Sequence, residues 1–330
     1  MTTVNRRVFV DDRYRGQHGI GRYAHEVLGR LGLPWSPLGL PGRVSSPTDV
    51  ATMLPRMVRD GIVYSPGFGA LLAAPRQLLT VMDFIHLESE WPRKAINRVY
   101  YNAAVRRQVR RCGAVVTISE TSAIAIRHWL GDDSVAVVNA GVGYGDDFRP
   151  EGRAATGDSG YILYVGNLRR HKNLGVILRA MDEAKDVTLK AVLPVQEHAE
   201  AMRLFGELGL TKRVRLMHGI DDAELAREYR GASATVMPSL NEGFGLPALE
   251  SICCGTPVIY WRGCNAVGET VGDSGWAISE AANAEEWAAA IVRACETNLR
   301  VLPPDQGLFS WERTAKIVTA TLLGLIGPTS

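Results

Sequence analysis

Two glutamates eight positions apart, Glu242 and Glu250, bracket a glycine-rich turn, Gly243-Phe244-Gly245-Leu246-Pro247. Carboxylates accept hydrogen bonds from paired sugar hydroxyls, and this spacing lets the two address different parts of one extended polar ligand. Gly243 and Gly245 allow the backbone to approach such a ligand closely. Pro247 suits the first turn of a helix and Gly255 its end, so the unpaired N–H groups of that first turn would face anions and hydroxyl oxygens. A second cluster, Gly166-Asn167-Leu168-Arg169-Arg170-His171-Lys172-Asn173, places Arg169, Arg170 and Lys172 in one loop. By themselves such charges read either as a functional group or as a solvated loop. A third, Gly16 to Arg22 with Gly19 and Gly21, imitates a dinucleotide fingerprint. It lacks the order Gly-x-Gly-x-x-Gly and a convincing acid ending the next strand.

The elements around these clusters are short, continuous apolar runs, the pattern of strands buried on both faces of a parallel sheet. Such runs occur at 7–10, 61–64, 78–82, 114–118 and 135–138, with helical periodicity between several of them. Residues 151–160 are small, polar and aperiodic, and the pattern restarts at Tyr161. Strands are expected at 161–165, 187–193, 213–217, 234–237 and 257–260, completing a second doubly wound sheet. Asp221 with Glu224 three residues on makes a capping box for a helix through Leu225 and Tyr229. The expected organisation is α/β: a Rossmann-like domain over 1–152, a second over 153–308, and a C-terminal helix over 309–330 that crosses back to the first.

The chain has 330 residues and a net charge of +2, carried as 19 Lys+Arg against 13 Asp+Glu in residues 1–150 and 18 against 22 thereafter. That balance gives no reason to expect a nucleic-acid partner. No apolar run reaches the ~18 residues of a membrane helix and the N-terminus has no signal-peptide pattern, so a cytoplasmic protein is expected. The five cysteines show no CxxC pair or metal-ligand spacing and read as reduced thiols.

The Glu242-x7-Glu250 segment resembles the signature of retaining glycosyltransferases with the GT-B fold, and the whole stretch is similar to glycosyltransferase family 4. Gly166 to Asn173, the interdomain run Asn139 to Pro150 and the Trp311 helix extend the likeness over most of the chain. The resemblance implies two Rossmann-like domains facing across a cleft, with donor on the second and acceptor on the first. It implies that Glu242 contacts the donor hexose and Glu250 the ribose, with Gly166, Asn167, Asn173, Gly243, Phe244, Gly245 and Leu246 around the donor. Lys172 matches the family's phosphate-binding lysine. Asn167 and His171 stand where relatives often carry arginine, so Arg169 or Arg170 would substitute. Gly19, Gly21 and Arg22 match the family's N-terminal glycine loop. Related mannosyltransferases read His-Asp after the strand at 78–82, whereas this chain has Met82-Asp83 with His86 beyond, leaving Asp83 or His86 for the acceptor or sugar. Asn265 to Asp273 resembles the loop before the family's last strand, where Glu269 would help shape the donor pocket.

These expectations amount to metal-independent transfer of a hexose, first mannose from GDP-mannose, to a saccharide, glycolipid or small-molecule acceptor, with no cofactor. No strand ends in the Asp-x-Asp by which the other large glycosyltransferase architecture chelates a divalent cation. A non-hydrolysing sugar-nucleotide epimerase and a catalytically silent carbohydrate- or nucleotide-binding protein remain as alternatives. The basic helix expected at 93–111 (Arg93, Lys94, Arg98, Arg106, Arg107, Arg110, Arg111) reads either as a peripheral membrane patch or as a solvated face.

Overall fold

A computed structural model describes residues 7–16, 19–42, 44, 54, 58, 60–87, 94–155 and 160–327. The chain divides into two compact units, Met1–Gly143 with Gly307–Ser330, and Tyr144–Gln306.

The first unit opens with β1 (Val8–Val10), α1 (Gly19–Gly29), β2 (Trp35–Pro37), β3 (Ile62–Ser65) and β4 (Gln77–Leu79). All four strands are parallel, in the order β2-β1-β3-β4. β1, β3 and β4 are buried throughout, and the two polar residues among them pair, Gln77 Nε2 donating to Ser65 Oγ at 2.8 Å. After α2 (Lys94–Tyr100) the same helical run continues through a π turn, Tyr101–Val105, into α3 (Arg106–Cys112). β5 (Ala114–Thr117), α4 (Glu120–Leu130) and β6 (Ala136–Asn139) follow, with β5 and β6 paired in parallel. A bridge from Thr80 to Val116 and the bond from Val81 N–H to the Val116 carbonyl (2.9 Å) join β4 to β5. Ser119 caps α4 by accepting from the Ser122 N–H, and Gly131 ends it at φ 54°.

The second unit contains β7 (Tyr161–Val165), α5 (Leu174–Ala180), β8 (Thr188–Val192), α6 (His198–Glu207), β9 (Val214–Met217), α7 (Asp222–Gly231), β10 (Ala234–Met237), α8 (Leu246–Cys253), β11 (Val258–Trp261), α9 (Asn265–Val271), β12 (Gly275–Ile278) and α10 (Ala284–Thr297). Its parallel sheet runs β12-β11-β10-β7-β8-β9. Within this unit that is the doubly wound order 3-2-1-4-5-6 read from the far edge, with its reversal between β7 and β10. In such sheets the ligand crevice lies beyond the carboxyl ends of the strands at the reversal. Ile162, Ile177, Phe205, Val236 and Trp287 belong to the core that holds these strands.

Three local readings change. Gly19, Gly21 and Arg22 stand in the first turn of α1 rather than in a loop. Asn265 to Val271 is helical, not loop: burial of Ala266, Val267, Thr270 and Val271 outweighs the weak helix propensity of Gly268 and the β-branched residues. β12 adds an edge strand that the apolar pattern does not announce, because three of its four residues are only half buried. The last helix, α11 (Trp311–Ile326), belongs to the first unit and packs on α1. There Trp311 meets Tyr23 edge-on with centroids 6.2 Å apart, and Arg30 Nε lies 2.7 Å from Glu312 Oε1. Among the described residues no helix is long and apolar enough to cross a membrane.

Candidate active site

The loops that follow β7 and β10 leave adjacent parallel strands, paired at Ala234 with Ile162 and at Thr235 with Leu163. This adjacency brings Gly166–Asn173 beside Pro238–Gly245. The Leu240 N–H donates to the His171 carbonyl at 2.7 Å, and Lys172 Nζ lies 2.6 Å from Glu242 Oε1. The Lys172 and Glu242 side chains are only 16% and 10% exposed, so their attraction is poorly screened.

The first loop is stiffened along its length. Tyr164 donates its hydroxyl to the Asn167 carbonyl (2.7 Å), and the Asn167 side chain accepts from the Arg169 N–H (3.1 Å). The Leu168 N–H donates to Glu197 Oε2 (2.7 Å). Arg170–Lys172 forms a single 3-10 turn that ends at Asn173, whose φ of 51° lies in the left-handed region an asparagine tolerates. Asn173 Nδ2 donates to the Ala281 carbonyl (3.2 Å). Gly166 leaves room for a ring: a Cβ there would sit 2.8 Å from the Tyr164 hydroxyl oxygen. Arg169 and Arg170 are exposed, whereas Lys172 is drawn inward by Glu242.

In the second loop Gly243, Phe244 and Gly245 are buried and Leu246 is half buried. Gly245 precedes α8 at φ 96°, and a Cβ there would meet Val267 Cγ2 at 3.0 Å. The Thr270 hydroxyl lies 3.3 Å from the Phe244 carbonyl and so ties α9 to this turn. Glu269, in the same helix, is exposed. Glu250 is 5% exposed and accepts a hydrogen bond from the Tyr229 hydroxyl at 3.0 Å. The two glutamates thus face different surroundings, Glu242 a cation and Glu250 a buried phenol. Burial, and after it the Glu242 charge, push the Cys264 thiol up to about 12, and the same two causes raise the Tyr164 phenol. Both therefore stand beside Glu242 as neutral groups.

The remaining candidates lie in the first unit. Gly21 cannot carry a side chain, since a Cβ would fall 2.3 Å from the Gly16 carbonyl oxygen, whereas the space beside Gly19 is open. Arg22 is half buried on the same turn; Gln17 and His18 of the expected loop lie outside the described residues. Asp83 is 30% exposed, accepts from the Ile85 N–H (3.0 Å) and stands 3.8 Å from His86 Nδ1. His86 stacks on Phe68 with centroids 5.3 Å apart and tilts against Tyr101 at 4.6 Å. Its Nε2 and the Tyr101 hydroxyl are buried without hydrogen-bond partners among the described residues.

Of the basic stretch, Arg93 lies outside the described residues. Arg106 and Arg110 donate to the Leu130 carbonyl at the end of α4 (2.7 and 3.0 Å), which is a structural use of charge. Ile96 and Val99 of α2 are 64% and 67% exposed beside Lys94 and Arg98.

Sequence reasoning did not single out Tyr229, Glu197, Tyr101 or Thr270. Tyr229 lies on the helix marked by the Asp221 capping box, but nothing local says which neighbour its hydroxyl meets. Among the described residues no group of three or more His, Cys, Asp and Glu is placed to hold a metal ion.

Comparison with known proteins finds likenesses over the second unit and, for the fold, over the whole chain. The family described as Glycosyl transferases group 1 matches residues 147–301, nearly the whole second unit. The D-inositol 3-phosphate glycosyltransferase of Streptomyces scabiei is 34% identical over 167 residues, covering 44% of this chain and 37% of that protein. The O-antigen chain mannosyltransferase RfbU of Salmonella typhimurium is 28% identical over 173 residues, covering 51% of this chain and 48% of the relative. The matches thus span between about a third and about half of these relatives' own length. Among solved structures, Anabaena HepE in complex with UDP and glucose superimposes with a TM-score of 0.68 at 15% identity, covering 96% of this chain and 98% of that one. Sucrose-phosphate synthase from Thermosynechococcus elongatus gives 0.63 at 18% identity, with the same coverages. These neighbours show the GT-B fold. Residues 147–301 are thus similar to the glycosyl transferases group 1 family, within a chain that has the GT-B fold.

Proposed function

We propose that the protein transfers a hexose from a nucleoside diphosphate sugar to an acceptor hydroxyl, retaining the anomeric configuration and using no metal. The observation that carries this reading is the junction of the two loops at the β7/β10 reversal, where Lys172 and Glu242 meet. Lys172 would meet the donor diphosphate and Glu242 the hexose hydroxyls, while Glu250, held by Tyr229, would meet the ribose. Arg169 or Arg170 adds a second cation from the exposed rim of the loop. Gly243, Phe244, Gly245 and Leu246 line the turn, and the N–H groups opening α8 face the polar donor.

Mannose from GDP-mannose is the first donor to test, supported by the mannosyltransferase named among the relatives. A neighbour solved with UDP and glucose makes a uridine donor the second. The acceptor is a saccharide, glycolipid or small molecule, received on the first unit near Asp83 and His86. Five free cysteines suit the reducing cytoplasm. Exposed Ile96 and Val99 beside Lys94 and Arg98 suit peripheral contact with an anionic membrane.

The test is a thermal-shift panel of UDP, GDP and ADP sugars, in which a donor at ~100 times its dissociation constant adds about 2.7 kcal/mol of stability. Product NMR with the responding sugar then reads the configuration at the anomeric carbon. Silence from every nucleotide sugar, or activity lost to EDTA and restored by manganese, would overturn the proposal. Conversion of the free nucleotide sugar without acceptor would make the protein an epimerase.

A further inference from the structure

We infer that the Lys172–Glu242 pair discriminates intact nucleotide sugar from spent nucleoside diphosphate, so that the product is bound less tightly than its phosphates alone would give. This rests on the reading just proposed, which puts the diphosphate at Lys172 and the hexose at Glu242. The two groups are 2.6 Å apart, with side chains 16% and 10% exposed, so each depends on the other for most of its solvation. The ionisable neighbours that respond to the Glu242 charge, Tyr164 and Cys264, are kept neutral by burial. A diphosphate that draws the ammonium toward itself therefore leaves a carboxylate 10% exposed, with little water around it, which is costly.

An intact donor offsets that loss, because its hexose hydroxyls donate to the oxygens Lys172 gives up. Free nucleoside diphosphate supplies no such donors and brings one further negative charge on its terminal phosphate, which repels Glu242. Donor binding thus exchanges partners within the pair, while product binding breaks the pair without replacement.

The experiment is calorimetric titration of wild type, Glu242→Gln and Lys172→Ala with UDP, UDP-glucose, GDP and GDP-mannose, with thermal midpoints as the check on folding. For the base that binds, Glu242→Gln should tighten the free diphosphate and loosen the nucleotide sugar. The ratio of the two dissociation constants should shift about tenfold toward the diphosphate, equivalent to ~1.4 kcal/mol. Glu242→Asp, which keeps the charge but shortens its reach, should move the ratio in the same direction by less and covers the case of a misfolded glutamine variant. An unchanged ratio in both variants, with nucleotide still bound and weakened by Lys172→Ala, overturns this inference alone. No nucleotide binding, or binding indifferent to Lys172→Ala, overturns the proposed function and the inference together.

Discussion

Replacing Lys172 by methionine removes one half of an ion pair that is neither surface nor core, with 16% and 10% of its side chains exposed. Breaking a fully buried pair costs ~3–5 kcal/mol because a charge is stranded, and an exposed pair contributes ~0–1 kcal/mol. With Glu242 stranded at one-tenth exposure the expected loss is about 2 kcal/mol, or roughly 4–8 °C in the Tm of a unit of this size. Lys172→Met/Glu242→Gln removes both charges and should recover at least half of that loss, a coupling that a double-mutant cycle in urea reads directly. Catalysis should not recover. If Lys172 meets the leaving diphosphate, kcat/KM for the donor falls by ~2–4 kcal/mol of barrier, about 30- to 1,000-fold, in single and double variants alike. Additive stabilities would refute the view that the pair is desolvated, and a loss of kcat/KM below threefold would refute the role given to Lys172.

Tyr229→Phe deletes the hydroxyl that donates to a carboxylate 5% exposed, so it should cost about 1–3 kcal/mol by denaturant titration and weaken nucleotide binding through Glu250. Gly21→Ala forces a Cβ to within 2.3 Å of the Gly16 carbonyl oxygen and should lower stability by about 1–3 kcal/mol, whereas Gly19→Ala meets open space and should be neutral or mildly stabilising; circular-dichroism melts of the two variants decide it. Burial pushes the thiols of Cys253, Cys254 and Cys264 up to about 12, so at pH 8 these three should resist a thiol reagent until the chain is unfolded in guanidinium. Glu312 is held below the usual carboxylate range chiefly by its hydrogen bond from Arg30. A depressed folded value means that its small contribution is present above the unfolded value and fades as pH falls through the folded one, so Glu312→Gln should lower the Tm slightly at pH 7, by an amount that shrinks as the pH is lowered.

Much of the candidate site is written in local signals. The two glycine-bearing loops, the proline that opens α8 and the Asp221 cap act over a few neighbouring residues, and the structure places each at the element its residues specify. Where local signals were weak, packing decided: Asn265 to Val271 is helical because four of its residues are buried, and Gly19 to Arg22 joins α1 because Tyr23, Ala24 and Val27 pull that turn onto the sheet.

By itself the sequence determined two runs of parallel-sheet elements, their polar junctions and the residue types able to grip a phosphorylated sugar, because periodicity and turn chemistry are short-range properties. Which of those residues meet was decided only in three dimensions. Lys172 and Glu242 stand 70 positions apart, and they touch because the strand order seats β10 against β7 rather than beside its neighbour in sequence, β9. The same holds for Glu250, which tertiary packing turns to Tyr229, and for α11, which returns across 282 positions to pair Glu312 with Arg30. Such contacts depend on how strands are ordered and helices docked, and that order is set by burying the whole apolar surface at once, not by any one segment.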